Sequence, residues 1–310
     1  MAQLRIKAGR HTVEVSKPDK VLFPDDGIAK ADLAEYYHQV ANRMLPYLRG
    51  RPLALERYPD GISHQRVFQK DVPSHFPEWV TRVDVERVKG GTVRQAVADK
   101  AAALVYLADQ GCVTPHAFLS RHDRLNQPDQ LIFDLDPPEG DFEAARRGAL
   151  TLRGLLCDEL GLAAYPKTTG GKGVHVMSPL VRGWGFDRVR EFARDAADLL
   201  VDRFPDEITT EQRKDKRGGR LFIDVLRNAY AQTAVPPYAV RARKGAPVAM
   251  PLSWEEVADS SLAPDRFTVR NAVGRIVDGE DPWSQLRRRA RGLSRARRRL
   301  DSLLKSVARG

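Results

Sequence analysis

The sequence has little of what marks secreted, membrane-spanning or disulfide-stabilised proteins. Only two of its 310 residues are cysteine, Cys112 and Cys157, and their spacing fits neither a metal site nor a disulfide framework. No run approaches the roughly eighteen consecutive apolar residues of a membrane span, and the N-terminus lacks the apolar core of a signal peptide. We therefore expect a cytoplasmic protein with reduced thiols and no membrane partner.

A P-loop is also missing, because Gly-x-x-x-x-Gly-Lys-Ser/Thr does not occur, and this excludes nucleotide hydrolysis by that route. Internal repeats and low-complexity linkers are absent as well. The content of 42% apolar and 30% charged residues is ordinary for a globular protein. Strand and helix patterns follow one another without a regular βαβ rhythm, which favours α+β packing over a doubly wound sheet.

Apolar periodicity predicts the main elements. Helices are expected over 30–48, 142–159 and 186–203. Strands are expected at 12–15, 53–57, 66–69, 80–88, 131–136, 174–177 and 221–226. The segment 102–107 is apolar enough for a strand or a buried helix.

The positive charge is concentrated at one end of the chain. Ten of the 51 basic residues and one of the 41 acidic residues lie between Arg287 and Arg309, which leaves 41 basic and 40 acidic residues elsewhere. This segment could form a helix with four leucines on one stripe and arginine elsewhere: Leu286, Leu293, Leu300 and Leu304. Such a helix suits a polyanion, and a solvated or partly disordered tail is the alternative.

Two aspartates end the apolar run Leu131-Ile-Phe-Asp-Leu-Asp136. Residues two apart on a strand project to the same side, so Asp134 and Asp136 converge on one spot. Two like charges at the end of a buried strand are costly unless a cation lies between them, which favours a divalent-metal site. A strand that ends in a solvated turn is the alternative, because Asp before Pro is a common turn signal.

A third carboxylate, Asp224, lies in the apolar run Leu221-Phe-Ile-Asp-Val-Leu226. A buried carboxylate needs a partner, a hydrogen bond or a metal. If the two runs form adjacent strands, Asp134, Asp136 and Asp224 meet at one site with enough ligands for two divalent ions. An ion pair with Arg227 is the other interpretation of Asp224.

The turn Lys167-Thr-Thr-Gly-Gly-Lys-Gly-Val-His175 can expose backbone N–H groups to an anion. Thr168, Thr169, Lys172 and His175 add side-chain donors. Together with the acids, this pattern indicates a triphosphate cradle, whereas in isolation it would be an ordinary hairpin turn.

These motifs resemble the polymerase module of bacterial DNA ligase D and its stand-alone relatives, in the archaeo-eukaryotic primase superfamily. Asp134-Leu-Asp136 resembles the first motif of the superfamily, Thr169 to His175 the second and Asp224 the third. Further similar segments extend the resemblance from about residue 12 to about residue 285: Val21-Leu-Phe-Pro, Asn228-Ala, Gln232-Thr and Pro236-Pro-Tyr-Ala-Val-Arg241.

The resemblance implies an α+β archaeo-eukaryotic primase fold with an RRM-like catalytic palm and mixed or antiparallel sheets. It implies one primase-polymerase domain over 1–285, with an N-terminal subregion to about residue 110 and the palm over 111–285, followed by the basic tail 286–310. The Lys-x-Asp-Gly nucleophile motif of a ligase is absent, so we expect a polymerase alone.

By resemblance, Asp134, Asp136 and Asp224 bind two divalent ions, Mn²⁺ or Mg²⁺, and place the primer 3′-hydroxyl against the α-phosphate of the incoming nucleotide. The other residues that the resemblance implicates are Thr169, Lys172, His175 and Arg241 for the triphosphate, His116 near the ribose, Lys20 and Lys30 for a DNA 5′-phosphate, and Phe68 for stacking on a template base. From the residues alone, His116 would be structural and the lysines surface charges.

Two positions depart from the family pattern. Lys17 stands where the ligase D type commonly has asparagine, and Val67 replaces one of two adjacent template-stacking aromatics, so half of that platform is missing.

The function implied is template-directed repair synthesis, adding one or a few nucleotides, preferably ribonucleotides, at gaps or double-strand break ends with a 5′-phosphate. The partners implied are DNA, ribonucleoside and deoxyribonucleoside triphosphates, a separate DNA ligase and Ku, with a nucleoid-associated location. Two other functions fit parts of the pattern. A metal-dependent nuclease or phosphoesterase can use three carboxylates, and a non-catalytic DNA-end-binding module needs only the basic tail.

Overall fold

The computed structural model describes residues 4–307, so the ends of the chain, including the last three residues of the predicted tail, lie outside the described residues. The chain forms two compact units. The first comprises the chain up to Asp123 with Thr233–Met250 and Asp265–Asp281, and the second comprises Arg124–Gln232, Pro251–Pro264 and the chain from Pro282. The predicted single domain with an internal boundary near residue 110 stays a prediction.

The helices and strands are numbered in chain order. The strands are β1 (Leu4–Ala8), β2 (His11–Val15), β3 (Val21–Phe23), β4 (Ile28–Ala29), β5 (Leu53–Arg57), β6 (Val67–Gln69), β7 (Thr81–Glu86), β8 (Thr92–Val97), β9 (Cys112–Phe118), β10 (Gln130–Asp136), β11 (Tyr165–Thr168), β12 (Val174–Pro179), β13 (Ile208–Thr209), β14 (Leu221–Asp224) and β15 (Thr233–Ala234). The helices are α1 (Lys30–Leu48), α2 (Ala101–Asp109), α3 (Phe142–Arg153), α4 (Phe186–Arg203), α5 (Trp254–Ala258), α6 (Ala272–Asp278) and α7 (Leu293–Val307).

The first unit is built on a sheet in the order β15-β9-β5-β8-β7, with β6 paired to β5. The small hairpins β1-β2 and β3-β4 complete its strands. Helix α1 has the predicted bounds, because Leu33, Tyr37, Val40 and Met44 recur at helical spacing and are buried. The segment at 102–107 is the buried helix α2, and eight of its nine residues are buried.

The second unit is built on a five-stranded sheet in the order β11-β12-β10-β14-β13. Along the chain its elements run β10-α3-β11-β12-α4-β14, which is the β-α-β-β-α-β order of a split βαβ fold. All pairings are antiparallel except β13 with β14. Helix α4 has its predicted bounds. Strand β10 lies at the centre of this sheet, in agreement with the predicted RRM-like palm.

Three predicted elements are shorter than expected by two residues or more. The helix predicted over 142–159 ends at Arg153 and continues as a π-helical turn, Gly154–Glu159, where glycine weakens the regular helix. Strand β14 stops at Asp224, two residues early, because the carboxylate of that residue accepts the Leu226 N–H and starts a turn. The strand predicted over 80–88 is the shorter β7.

The basic segment forms a packed helix. Leu293, Ala296 and Leu300 on α7 are buried, whereas Leu286 precedes the helix and Leu304 is half-buried. Arg297 forms ion pairs with Asp195 on α4 and with its own-helix neighbour Asp301. The helical alternative for this segment is therefore confirmed over residues 293–307. Among the helices described within residues 4–307, none has the length and apolarity to span a membrane.

Candidate active site

The three predicted carboxylates lie on two paired strands of the second unit. Asp134 and Asp136 are two residues apart on β10 and project to the same face. The antiparallel register of β10 and β14 places Asp134 directly opposite Asp224. Side chains opposite one another on paired strands share a face, so all three acids lie on one face of the sheet. This confirms the adjacency inferred from the two apolar runs.

Asp134 is buried between two nitrogen donors. His175 Nε2 lies 3.2 Å from its Oδ1, and Arg227 Nε lies 3.4 Å from its Oδ2. Burial alone would raise the pKa of Asp134, but the contact with His175 and the charge of Arg227 hold it below its usual range. Asp134 is therefore ionised at neutral pH.

The other two acids are less well compensated. Burial raises the pKa of Asp136 to about 6, and the negative charges of Asp134 and Asp224 add to this effect. Burial also raises the pKa of Asp224, although the hydrogen bond from the Leu226 N–H opposes the change. Like charges on one sheet face thus repel each other, and a cation bound among them would relieve that repulsion.

The donor set suits a hard divalent cation, since carboxylate oxygens are the ligands that Mg²⁺ and Mn²⁺ prefer. Within residues 4–307, however, no three His, Cys, Asp or Glu side chains are already arranged to hold an ion. The Arg227 guanidinium lies against Asp134 and supplies positive charge there. The acids therefore fit a metal chemically, and in this structure the Arg227 guanidinium takes up one oxygen of Asp134.

Arg227 and Asn228 follow β14 in a short helical turn. Asp224 does not form the ion pair with Arg227 that was the alternative interpretation, because Arg227 contacts Asp134 and Asp224 accepts the Leu226 N–H at 2.7 Å. Asn228 is fully buried and exchanges two hydrogen bonds with the backbone of Ile132, donating a further one to the Val225 carbonyl. Asn228 thus fixes the turn against the strand that carries Asp134.

The glycine-rich turn joins β11 to β12. Thr169 closes it, because its hydroxyl contacts Gly173 O at 3.1 Å and accepts the Gly171 N–H at 3.2 Å. A side chain at Gly173 would overlap the carbonyl oxygen of Leu135 on β10, so the turn approaches the acid-bearing strand as closely as backbone allows. The predicted donors Thr169 and Lys172 therefore lie beside β10.

Lys172 and His175 are held in different ways. Lys172 is exposed and forms an ion pair at 3.1 Å with Glu139, which follows the acid pair in the chain. His175 lies opposite Asp134 in the β10-β12 register and is buried. Burial, with the charge of Lys167, lowers the pKa of His175 to about 4, so the ring is neutral at pH 7. Nε2 of this neutral ring faces Asp134 Oδ1, and the buried Nδ1 has no hydrogen-bond partner among the described residues.

The first unit contains the remaining predicted residues. His116 on β9 forms a 3.0 Å hydrogen bond through Nε2 with Glu56 on β5, and its ring meets that of Phe68 edge to face. Burial alone would raise the pKa of Glu56, but the hydrogen bond and charge of His116, with the charge of Arg241, lower it to about 2. Glu56, His116 and Arg241 therefore form one charged cluster. Phe68 is 43% exposed, as a stacking platform requires.

The two predicted phosphate lysines are brought together by a backbone hydrogen bond from Lys30 N to Lys20 O. Lys20 forms an exposed 2.7 Å ion pair with Asp60. Lys30 is buried, and its ammonium contacts Asp109 at 3.2 Å and Ser16 Oγ at 3.0 Å. Lys17 adopts a left-handed φ of 47°. Asparagine tolerates that backbone conformation better than lysine, so this departure from the family pattern carries a cost in backbone strain.

Residues 29–283 match the family described as the LigD primase-polymerase domain. The chain belongs to the LigD primase-polymerase family. This confirms the resemblance and the predicted class of enzyme, a polymerase-type nucleotidyltransferase. Polymerases of this chemistry use divalent metal ions.

Similar proteins agree with this assignment. The chain is 33% identical over 258 residues to the multifunctional non-homologous end joining protein LigD of Mycolicibacterium smegmatis, a match covering 82% of this chain and 34% of that protein. The LigD protein of Pseudomonas aeruginosa is 32% identical over 295 residues, covering 94% of this chain and 35% of that protein. The chain thus spans about a third of the length of these curated relatives.

Among solved structures, the polymerase domain of Mycobacterium tuberculosis ligase D in complex with DNA matches with a TM-score of 0.83 and 30% identity. The match covers 90% of this chain and 99% of that one. The predicted α+β fold of the LigD primase-polymerase family is therefore confirmed.

Sequence reasoning missed Glu56 and the contact that Arg227 makes. Glu56 ends the apolar run Leu53-Ala-Leu-Glu56, so the argument that identified Asp224, an acid embedded in an apolar strand, applies to it equally. Its partner His116 is 60 residues away, and local pattern carries no signal for that pairing. In this LigD-type chain, Glu56 is the acid that orients the predicted ribose residue.

Proposed function

We propose that this chain is a template-directed DNA repair polymerase that adds one or a few nucleotides, ribonucleotides preferred, at gaps or double-strand break ends with a 5′-phosphate. The observation that supports it best is the register of Asp134 with Asp224 beside the glycine-rich turn, in a chain of the LigD primase-polymerase family. End joining and excision repair both require such a step.

In this proposal, Asp134, Asp136 and Asp224 hold two divalent ions, Mn²⁺ or Mg²⁺. When bound, such ions activate the attacking 3′-hydroxyl and neutralise charge on the leaving pyrophosphate. The protein supplies the rest. Neutral His175 fixes the orientation of Asp134 through Nε2, and the Asn228 clamp fixes the strand beneath it. The close packing of side chains around Asp134 excludes water from one side of the carboxylate face.

The glycine-rich turn is proposed to hold the triphosphate. Its backbone N–H groups and the Thr169 hydroxyl are neutral donors, and Lys172 brings a positive charge that Glu139 neutralises in the free protein. His175 Nδ1 and Arg241 complete the predicted set. A nucleotide phosphate would replace Glu139 as the partner of Lys172.

Residues of the first unit are assigned to the ribose and the DNA. We assign His116, oriented by Glu56, to the ribose and Phe68 to a template base. Lys20 and Lys30 are assigned to the 5′-phosphate, for which Lys20 must exchange its contact with Asp60. Lys30 is buried, so in this proposal it attracts the 5′-phosphate through its position and its positive charge.

The wider context of the reaction follows from the chemistry. A polymerase leaves a nick that a ligase must seal, so a separate DNA ligase is the proposed partner, with Ku at broken ends and a location on the nucleoid in the cytoplasm. The relatives named above are described as end joining proteins, which supports this context.

The deciding experiment supplies purified protein with Mn²⁺, labelled ribonucleotides or deoxyribonucleotides, and a gapped duplex whose downstream strand carries a 5′-phosphate. We expect primer extension, stronger with ribonucleotides, and its loss in the double variant Asp134→Ala/Asp136→Ala. The matched control, Asp187→Ala/Asp206→Ala, removes two exposed acids from the same unit and should extend normally.

Each alternative predicts a different result. Shortening of the primer would support a nuclease, and DNA binding without any metal-dependent reaction would support an end-binding module. Extension by the Asp134/Asp136 double variant would refute the metal assignment.

A further inference from the structure

Helix α7 lies beyond the part of the chain that matches the family, which ends at residue 283. The inner side of α7 packs against the rest of the unit. Leu293, Ala296 and Leu300 are buried, and Arg297 is neutralised by Asp195 and Asp301. The helix is therefore fixed to α4 in one rotation, and the residues on its outer side are presented to solvent in a defined arrangement.

The exposed residues of α7 are serine and basic residues except for Val307, the last residue of the helix. The exposed positions from Leu293 to Ser306 are Ser294, Arg295, Arg298, Ser302, Lys305 and Ser306. Four of these recur at spacings of three, four and three residues, which places them in one stripe along the helix: Arg295, Arg298, Ser302 and Lys305. At 1.5 Å per residue the stripe is about 15 Å long.

Within the described chain, Arg295 and Arg298 take part in no ion pair. Glu159, which lines the same pocket as Arg295 and Arg298, forms a bidentate ion pair with Arg203 at 2.6 and 2.8 Å. Its charge is therefore already neutralised. The half-buried Arg299 donates a hydrogen bond to the backbone carbonyl of Glu159. The stripe thus retains a net positive charge that the fold leaves uncompensated.

The residue types in the stripe indicate which kind of polyanion it would bind. Insertion into an anionic membrane surface uses several large apolar side chains on the bound face, whereas the four residues of this stripe are polar and the pocket beside it is lined by one apolar side chain, the half-buried Leu303. Arginine forks and serine hydroxyls match phosphate oxygens, and duplex DNA presents such groups densely, with about one charge per 1.7 Å of axis.

The stripe is connected to the sheet of the carboxylates but lies away from them. Arg291, just before α7, extends the end of β12 through hydrogen bonds between Val181 N and Arg291 O and between Arg291 N and Pro179 O. Val181 is six residues beyond His175, or about 20 Å along an extended chain. A ligand on the stripe is therefore distinct from one on the carboxylate face.

We propose that the stripe Arg295, Arg298, Ser302 and Lys305 on α7 binds the phosphate backbone of duplex DNA without regard to sequence, as a second DNA contact that does not take part in nucleotide transfer. This inference goes beyond the proposed polymerase function and does not depend on it. The contact would hold the protein on DNA between encounters with a gap.

The test measures binding of the whole chain to a blunt, ungapped duplex, without nucleotide or divalent metal, across a range of salt concentrations. The variant is Arg295→Gln/Arg298→Gln, and the matched control is Arg147→Gln/Arg153→Gln, which removes two exposed arginines from α3 in the same unit. We expect the stripe variant to bind about tenfold more weakly, and the slope of log affinity against log salt to fall by about 2.

The control should change affinity less than about twofold and keep its salt slope. An equal loss of DNA affinity in both variants would mean that only the net charge of the protein matters, and it would overturn the proposal. Unchanged affinity of the stripe variant would overturn it as well. Competition by poly-glutamate as effective as competition by DNA of equal charge would overturn it in favour of an acidic protein partner. In the extension assay, the stripe variant should retain its kcat on saturating gapped DNA and show a raised KM.

Discussion

Two acids at the ends of apolar runs, the buried Glu56 and the half-buried Asp136, meet opposite environments in the two units. Glu56 lies between His116 and the positive charge of Arg241, and its pKa falls to about 2. Asp136 lies beside two further carboxylates, and its pKa rises to about 6. The first cluster is balanced within the protein, whereas the second carries more negative charge than its neighbours compensate. An uncompensated buried cluster indicates where a charged ligand belongs, and a compensated one indicates a positioning role.

The largest effect should come from removing a carboxylate of the uncompensated cluster. We expect Asp224→Asn to lower primer extension by about 1000-fold or more, because the amide keeps the shape but loses the charge that holds a cation. Single-turnover extension on gapped DNA measures this. The control Asp202→Asn, at an exposed position on α4, should extend at the rate of the unmodified chain. Comparable extension rates in the two variants would show that Asp224 does not take part in the reaction.

The position of this cluster should depend on Asn228. Asn228→Ala removes three buried hydrogen bonds and leaves the Ile132 and Val225 backbone groups unpaired, so we expect a loss of about 2–4 kcal/mol in the free energy of unfolding. Urea unfolding measures it. Asn271→Ala, which removes hydrogen bonds at an exposed site, should cost less than about 1 kcal/mol. Equal losses would mean that Asn228 is not the clamp.

The two clusters should respond to pH with opposite sign. A folded pKa of about 6 against an unfolded value near 3.8 means that the contribution of Asp136 to stability is complete below about pH 4 and is lost as the pH rises through 6. For Glu56, the contribution is present above about pH 4.5 and is lost as the pH falls toward 2.

In chelator at pH 7.5, Asp136→Asn should therefore stabilise the protein by about 1–2 kcal/mol, a value reduced for partial solvent exposure, and the gain should vanish near pH 4. Glu56→Gln should destabilise it at neutral pH and have no effect near pH 2. Thermal melts across pH measure both. Shifts of the same sign at neutral pH would contradict the comparison.

The smallest effect concerns Lys172, whose exposed ion pair with Glu139 competes with a nucleotide phosphate. Glu139→Gln should lower the KM for the nucleotide about two- to threefold, because an exposed ion pair is worth no more than about 1 kcal/mol. The variant Glu191→Gln, at an exposed position on α4, controls for the change in net charge. A raised KM would mean that Glu139 helps to bind the nucleotide.

The sequence predicted the carboxylate face well because its determinants are local. The alternation Asp134-Leu-Asp136 defines a shared face, and an acid within the apolar run to Asp224 marks the neighbouring strand. Contacts between distant residues were beyond that reasoning. The burial of Lys30 depends on Asp109, 79 residues away, and Arg227 contacts Asp134, 93 residues away, instead of the nearby Asp224.

Helix extents were predicted where apolar spacing is continuous, as in α1 and α4. The extents of α3 and β14 were overestimated because a single residue ends each element. Gly154 ends the regular part of the helix, and Asp224 ends the strand. Capping contacts of this kind arise from the backbone conformation, which periodicity does not describe.

The pairing of β10 with β14 also makes the shared face of the three carboxylates depend on the alignment of the two strands. Leu135 lies opposite Ile223, one residue from the facing acids Asp134 and Asp224. A slip of β14 by one residue would place Ile223 opposite Asp134 and turn Asp224 to the other face of the sheet. A transplant of this site into another scaffold would therefore have to move both strands together with the turn at Asn228.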